Sequence, residues 1–480
     1  MDLAKWWSRT EPNVQTAYVF TLFFWAARSI LFQQVIAGYV FVLTNSNKPV
    51  GIVKGIQGIA QLVFSFPAGY WADRTRRDTI LKISAGLGLV TALMTYIAVE
   101  SMSLNLIYVV FGMWGTFAAL QNPAMEALFA DSIPQGQRSF PFMIKYNISN
   151  LAQTLGPVLC VLLFLYFGDV WEIKQLTPVL EFGATLAIVS SLLLFRFDDD
   201  LAIENREAAQ QQTEVDDAVK LERSLSMSRA KSPLATPTLV GNEFSLEYEY
   251  SDEDDASAKP HEQTALLKET QDLEQQEDAD FFAQRDAKFL CFTSKHVPVI
   301  LFVADFIISN GAGMTINFFP LFFKQEYGLT PIHVCLLFTA QPLVVMVLSF
   351  VAQRMSTWCG RMPLIVVTRL ASVLCLYLMS LAQPVALQIF LFLMRGGMMR
   401  CSQPLRRSIL MDYVPKHLRA RWNALEGLSV FSWSGSAVIG GFLIDAYDYR
   451  TCFVITSLVY CVGLSLETVL LPLTKHAVEH

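Results

Sequence analysis

The sequence predicts an all-α membrane protein with twelve transmembrane helices in two six-helix bundles. Three observations carry that prediction. The chain is 53% apolar and only 16% charged over 480 residues, where a soluble chain has about 25% charged residues. Its apolar runs are long enough to cross a bilayer, which takes roughly 20 residues. The runs fall as six, a polar gap, and six again.

The first six lie near 16–43, 51–72, 79–99, 105–128, 141–167 and 177–196; the second six lie near 297–323, 331–353, 363–382, 386–411, 422–446 and 451–473. Helices satisfy their own backbone groups in lipid. Barrel strands would alternate apolar and polar residues over about 10 positions, and these runs do not. The chain therefore divides into an N-terminal bundle (1–196), a cytosolic central loop (197–295) and a C-terminal bundle (296–480). With a cytosolic N-terminus, that side holds Lys5, Arg9, Arg74, Arg76, Arg77, Lys82, Arg138, Arg354, Arg361, Lys416, Arg419 and Arg421. The opposite side holds little beyond Lys48, Lys174, Lys324 and Arg450. The positive-inside rule then places both termini in the cytosol. Met1–Gln15 is polar and charged, unlike a cleavable signal peptide.

Eight cysteines are scattered without a CxxC pair, so they read as packing residues. No metal site and no cofactor is implied. The net charge of −6 comes largely from the central loop and implies no nucleic-acid partner. That loop opens on Asp198-Asp199-Asp200, turns Ser/Pro-rich over 223–237 and acidic over 243–280. It is too polar to offset chain entropy by burial, which predicts disorder. Ser224, Ser226 and Ser228 lie between Arg223 and Arg229, a pattern open to phosphorylation. Glu262 to Leu267 resembles an acidic dileucine signal that would recruit a sorting adaptor, favouring a lysosomal or vacuolar membrane over the plasma membrane.

The halves repeat each other. Asn122-Pro123, Asp131, Pro134 and Arg138 recur as Gln403-Pro404, Asp412, Pro415 and Arg419, each 281 residues on. Ser65-Phe66, Ala68 and Arg77 recur as Ser349-Phe350, Ala352 and Arg361, 284 residues on. An even number of spans per copy inserts both copies the same way round, a parallel repeat with its substrate path between the bundles.

Between spans 2 and 3 the chain reads GYWADRTRRD, with Gly69, Asp73, Arg74 and Arg77 in the positions of the loop signature G-x-L-A-D-R-x-G-R-R/K. Here it resembles the major facilitator superfamily, over essentially everything outside the central loop. Arg76 replaces the second Gly and Asp78 the last basic position; the second half keeps only Cys359-Gly360-Arg361. Leu155-Gly156-Pro157 resembles part of the drug:proton antiporter signature, yet Gly112 stands where span 4 of that branch carries an Arg. The resemblance implies a monomeric carrier in membrane lipid, with spans 1, 4, 7 and 10 lining a cavity. It also implies that Asp73 caps a helix of the opposite bundle while Arg77 pairs with Asp131. Arg361 and Asp412 are the symmetric gating candidates.

Ionisable residues inside spans are costly and face a cavity or a partner. Arg28 and Gln34 in span 1, Asn122 in span 4, Asn310 in span 7, and Arg395, Arg400 and Gln403 in span 10 are the candidate substrate contacts. Arg28, Arg395 and Arg400 outweigh Asp305, and a guanidinium holds carboxylate or phosphate through its planar fork. An organic anion is the expected substrate, with Asp305 and Glu126 as candidate proton carriers. Gln403 maps onto Asn122 and Arg407 onto Glu126, which predicts a Glu126–Arg407 gate near the cytosolic end. The polar face of span 2 (Lys54, Gln57, Gln61) reads as helix packing. A non-transporting receptor or scaffold on the same fold is the competing reading. The absence of a GxxxxGK[ST] loop argues against an ATP-driven pump.

Overall fold

The computed structural model describes residues 10–134, 139–203, 296–414 and 419–474, plus Trp7 and two short strands; the side chains of 72–74, 139, 411 and 419–430 are outside the description. The N-terminal half comprises α1 (Pro12–Leu31), α2 (Gln34–Thr44), α3 (Asn47–Arg74), α4 (Arg77–Glu100), α5 (Leu104–Asp131), α6 (Ser139–Phe167) and α7 (Ile173–Leu194). Strands β1 (Lys288–Phe289) and β2 (Phe292–Thr293) form a small antiparallel ladder. The C-terminal half comprises α8 (Val297–Ile316), α9 (Phe319–Tyr327), α10 (Pro331–Cys359), α11 (Arg361–Leu381), α12 (Val385–Cys401), α13 (Gln403–Tyr413), α14 (Arg419–Ala446) and α15 (Tyr449–Leu473).

Among the described residues, eleven helical stretches are long and apolar enough to span a membrane, and the 28-residue α14 supplies the length for a twelfth. The architecture is the expected all-α, two-bundle membrane fold. Helix α11 shows how the sequence sets it. Val367, Leu370, Leu374, Leu378 and Leu381 form an exposed apolar stripe, while Arg369, Ser372 and Leu376 are buried on the other side. An apolar stripe turned outward requires lipid rather than water as solvent.

Spans 1, 7 and 10 are each broken. α1 stops at Leu31 and α2 resumes at Gln34; α8 stops at Ile316 and α9 resumes at Phe319. The bounds of the two breaks are both 285 residues apart, so the repeat extends to backbone irregularity. Span 10 breaks at Ser402, just before Pro404, because proline cannot donate within a helix and its ring clashes with the preceding turn. Pro123, the repeat equivalent, is accommodated inside an unbroken α5.

The halves meet along two seams, α3 against α14 and α6 against α10. Close approach at the first seam needs glycine. A Cβ on Gly441 would lie 2.7 Å from the Asn47 carbonyl oxygen. The transmembrane unit extends past the run boundaries, to Glu204 and from Ala287. Phe197 and Ala202 are core residues, so the start of the central segment packs on the bundle. The serine cluster and the Glu262–Leu267 signal lie outside the described residues.

Candidate substrate cavity and its gates

At the face opposite the termini, the far face, the halves are latched by two carboxylates that cap helix N-termini across the seams. Asp445, at the end of α14, accepts hydrogen bonds from the Asn47 backbone N–H (2.8 Å), Asn47 Nδ2 (2.9 Å), the Lys48 N–H (3.1 Å) and the Ser46 hydroxyl. These are the free N–H groups at the start of α3. Asp169, beyond the end of α6, accepts from the Ile332 N–H at 2.8 Å, at the start of α10. An anion at the positive end of a helix satisfies orphan donors and meets the dipole. The Tyr449 hydroxyl bonds Asn47 Oδ1 at 2.8 Å, and Trp171 Nε1 donates to the Leu329 carbonyl at 2.7 Å.

Among the described residues, the hydrogen bonds joining the halves all lie from the span 1 break outward to this face. Toward the terminal face the helices separate. Five consecutive residues of α3, Val63 to Pro67, are exposed; at 100° per residue that exposes every side of the helix. Phe350 and Trp358 at the same end of α10 are each 78% exposed. The structure is closed at the far face and open at the terminal face.

The terminal face carries pairs within each half. The Arg77 guanidinium is on Asp131, and Arg361 lies 2.7 Å from Asp412. Both predicted partnerships occur. The side chain of Asp73 lies outside the described residues. The aspartate triplet of the central segment docks here too. Asp199 accepts from the Arg77 N–H at 2.8 Å, and Arg76 reaches Asp200 at 3.0 Å and Asp78 at 3.2 Å. Those hydrogen bonds, Asp200 first, push the Arg76 guanidinium above its already high range.

The expected gate partners are otherwise engaged in this state. Glu126 pairs with Lys145 of α6 at 2.7 Å rather than with Arg407. Asn122, Glu126, Gln403 and Arg407 are all exposed on the terminal halves of spans 4 and 10. Asn310 donates to the Phe306 carbonyl on its own helix at 3.0 Å. Gln34 is fully buried at the seam, with Nε2 3.8 Å from Cys335 Sγ of the other half, and its Oε1 has no hydrogen-bond partner.

Deeper in, cations gather at the two helix breaks. The Arg28 guanidinium lies over the rings of Trp25 (5.3 Å) and Phe32 (5.9 Å). The Lys54 ammonium is buried, 5.6 Å from the Phe32 ring, and donates to the Phe32 carbonyl that the break sets free. In the other half Arg395 is buried over the Phe319 ring at 5.0 Å and donates to the Tyr460 hydroxyl at 3.0 Å. Arg395 and Arg400 line a small open cavity with Gln341, Phe338 and Met399. Arg400 is exposed in it, within electrostatic reach of Tyr146 on the opposite half. Among the described residues, no carboxylate comes within ion-pair distance of Arg28, Lys54, Arg395 or Arg400.

Asp305 stands apart from that group. It pairs with Arg406 at 3.2 Å and Arg369 at 3.5 Å, and Arg369 also holds the buried Glu467 of α15. Two arginines and two carboxylates thus tie spans 7, 9, 10 and 12 of one half together. Sequence reasoning passed over Arg369, Arg406, Glu467, Lys54 and Lys145. The signal was available, since each is ionisable and inside an apolar run; Arg369, Glu467 and Lys145 lie outside spans 1, 4, 7 and 10, Arg406 lies in span 10 beside the arginines that were singled out, and Lys54 was read as packing.

Two repeated bundles, latched at one face and open at the other, with cations gathered at the helix breaks, define a polytopic carrier. A sequence profile described as Major Facilitator Superfamily matches residues 16–246 and 301–480. The chain belongs to that superfamily and is a membrane transporter of its type. A Na(+), Li(+), K(+)/H(+) antiporter of Planococcus maritimus is 33% identical over 156 residues, covering 30% of this chain and 34% of the relative. The chain thus spans about a third of that relative's length. The fold is similar to the nucleoside transporter NupG (TM-score 0.62, 12% identity, 96% of this chain and 99% of that one). It is similar also to a bacterial homologue of the iron transporter ferroportin in an inward-facing state (0.63, 10%, 95% and 98%). A bacterial homologue of the lysosomal transporter Spinster matches likewise (0.62, 11%, 95% and 95%).

Proposed function

We propose that this chain is a secondary transporter that moves a small organic anion by alternating access, with both termini in the cytosol and the cavity here open to that side. The observation that carries the reading is the set of four cations at the helix breaks with no carboxylate beside them. A buried charge without a counter-charge costs several kcal/mol; Lys54 and Arg395 are both buried with only neutral partners and a second cation beside each, and a ligand of opposite sign explains the arrangement. Arg395 and Arg400, with Gln341 beside them, are the main substrate contacts; Arg28, Gln34 and Lys54 approach from the other half. Asn122, Asn310 and Gln403 line the route inward. Glu126 and Arg407 meet only when the cytosolic side closes. Asp305 carries the coupled proton, its release and uptake altering its hold on Arg369 and Arg406. The Ser224–Ser228 cluster and the Glu262–Leu267 signal of the central segment are cytosolic targets of kinases and a sorting adaptor. The test is uptake of labelled carboxylates and phosphate esters into liposomes holding the purified protein. No uptake of any anion, with accumulation of organic cations instead, would refute it.

Exchange of an alkali cation for protons is a second reading, favoured by the similarity to the antiporter of Planococcus maritimus. Four uncompensated cations near the cavity oppose it. Sodium-driven proton movement in the same liposomes would decide for it.

A further inference from the structure

The two helix breaks carry the same device. At each, a buried cation sits against the aromatic ring at the discontinuity, Lys54 on Phe32 and Arg395 on Phe319. At each, a second, less buried cation stands by: Arg28 lies over the same Phe32 ring as Lys54, and Arg400 lines the same cavity as Arg395. The breaks are related by the internal repeat, so the two pairs come from opposite halves at corresponding depth. An aromatic face offsets part of the cost of a buried cation. It does nothing for the repulsion between two like charges that share a low-dielectric site. An anion placed between the members of a pair relieves that repulsion directly. The device occurs twice, so one anionic group answers only half of it.

We propose that the transported species is a small molecule with an anionic group at each of two ends, one received by Arg28 and Lys54 and the other by Arg395 and Arg400. This rests on the anion-transporter reading and adds the number and placement of the charges. A ligand of that kind bridges the halves. It neutralises both pairs only when they are drawn to its own length, so its binding favours closing the open seam. A monoanion satisfies one pair, leaves the other bare, and gives the halves no reason to approach.

The test is equilibrium binding to the full-length purified protein of straight-chain dicarboxylates of increasing length, each beside the monocarboxylate of equal carbon number. One dicarboxylate length is expected to bind at least about tenfold more tightly than its monocarboxylate, with shorter and longer members weaker. Arg28→Gln and Arg400→Gln, at the less buried positions, are each expected to reduce that dicarboxylate to the level of the monocarboxylate. Lys54→Gln and Arg395→Gln repeat the comparison at the buried positions, with monodisperse elution as the check on folding. Equal affinity for mono- and dicarboxylates at every length would overturn the two-charge proposal and leave an anion carrier standing. So would a preference that survives Arg28→Gln and Arg400→Gln unchanged. Binding of no carboxylate at all would overturn the anion reading itself.

Discussion

Glu467 has no exposed surface, on a helix whose Leu458 and Val462 face lipid. It is tolerable there because Arg369 lies against it and Asp305 and Arg406 complete a neutral group of four. Removing one member leaves a charge buried and unpaired, which costs about 3–5 kcal/mol, whereas replacing a whole pair by apolar side chains is often neutral. Glu467→Gln is therefore expected to lower the thermal unfolding temperature in detergent markedly. The double substitution Arg369→Met with Glu467→Met should recover most of the loss, since Asp305 keeps Arg406. Asp305→Asn tests a different property. Its carboxylate is the reading's proton carrier, so transport by this variant should lose its response to a pH gradient; a pH dependence identical to the unaltered protein's removes Asp305 from that role. Arg400→Lys keeps the charge but loses the planar fork. A drop in anion affinity of about tenfold, read by binding, is the expected result.

At the scale of elements, the far-face latches are helix termini joined to carboxylates. Asp445 collects bonds from the first residues of α3, and Asp169 holds the start of α10. The two latches use repeat-related helices, so each seam is held in the same way. A capping interaction is worth about 0.5–2 kcal/mol. Two of them set the balance between two conformations separated by a few kcal/mol. Asp445→Asn should raise the population open at the far face, with Asp169→Asn adding to it. A cysteine at Ile36, in a background lacking Cys359 and Cys461, reports this through its reaction with a membrane-impermeant thiol reagent from the far side. Unchanged reactivity in the double variant would mean that packing, such as the close contact at Gly441, holds the face shut unaided.

For the whole molecule, alternating access demands that the far face open when the terminal face closes. Tying positions 47 and 445 together with a short reducible crosslinker between introduced cysteines should abolish transport. It should leave anion binding from the terminal side intact, and reduction should restore transport. Transport that continues through the crosslinked protein would contradict a carrier whose two halves rock about the cavity.

The amino-acid order by itself determined the span count, the parallel repeat, the superfamily and two local ion pairs, Arg77–Asp131 and Arg361–Asp412. The span count and the repeat depend on apolar length and on spacing along the chain, both visible in one dimension; the superfamily and the two pairs were implied by the resemblance that GYWADRTRRD carries. It also picked out Arg28, Arg395 and Arg400, since a charge inside an apolar run is conspicuous wherever it points. Only the tertiary structure decided which charges are spent on one another. Asp305 looked like a cavity carboxylate beside those arginines; packing gave it Arg369 and Arg406 instead. Lys54 looked like one more polar residue between helices; the break in span 1 gave it a carbonyl and a ring. Which face is shut was likewise decided by folding, because the latches join residues 398 and 163 positions apart, Asn47 with Asp445 and Asp169 with Ile332. A sequence records which groups must be neutralised, whereas the choice of neutralising group is a matter of distance in three dimensions, where Coulomb energy is set.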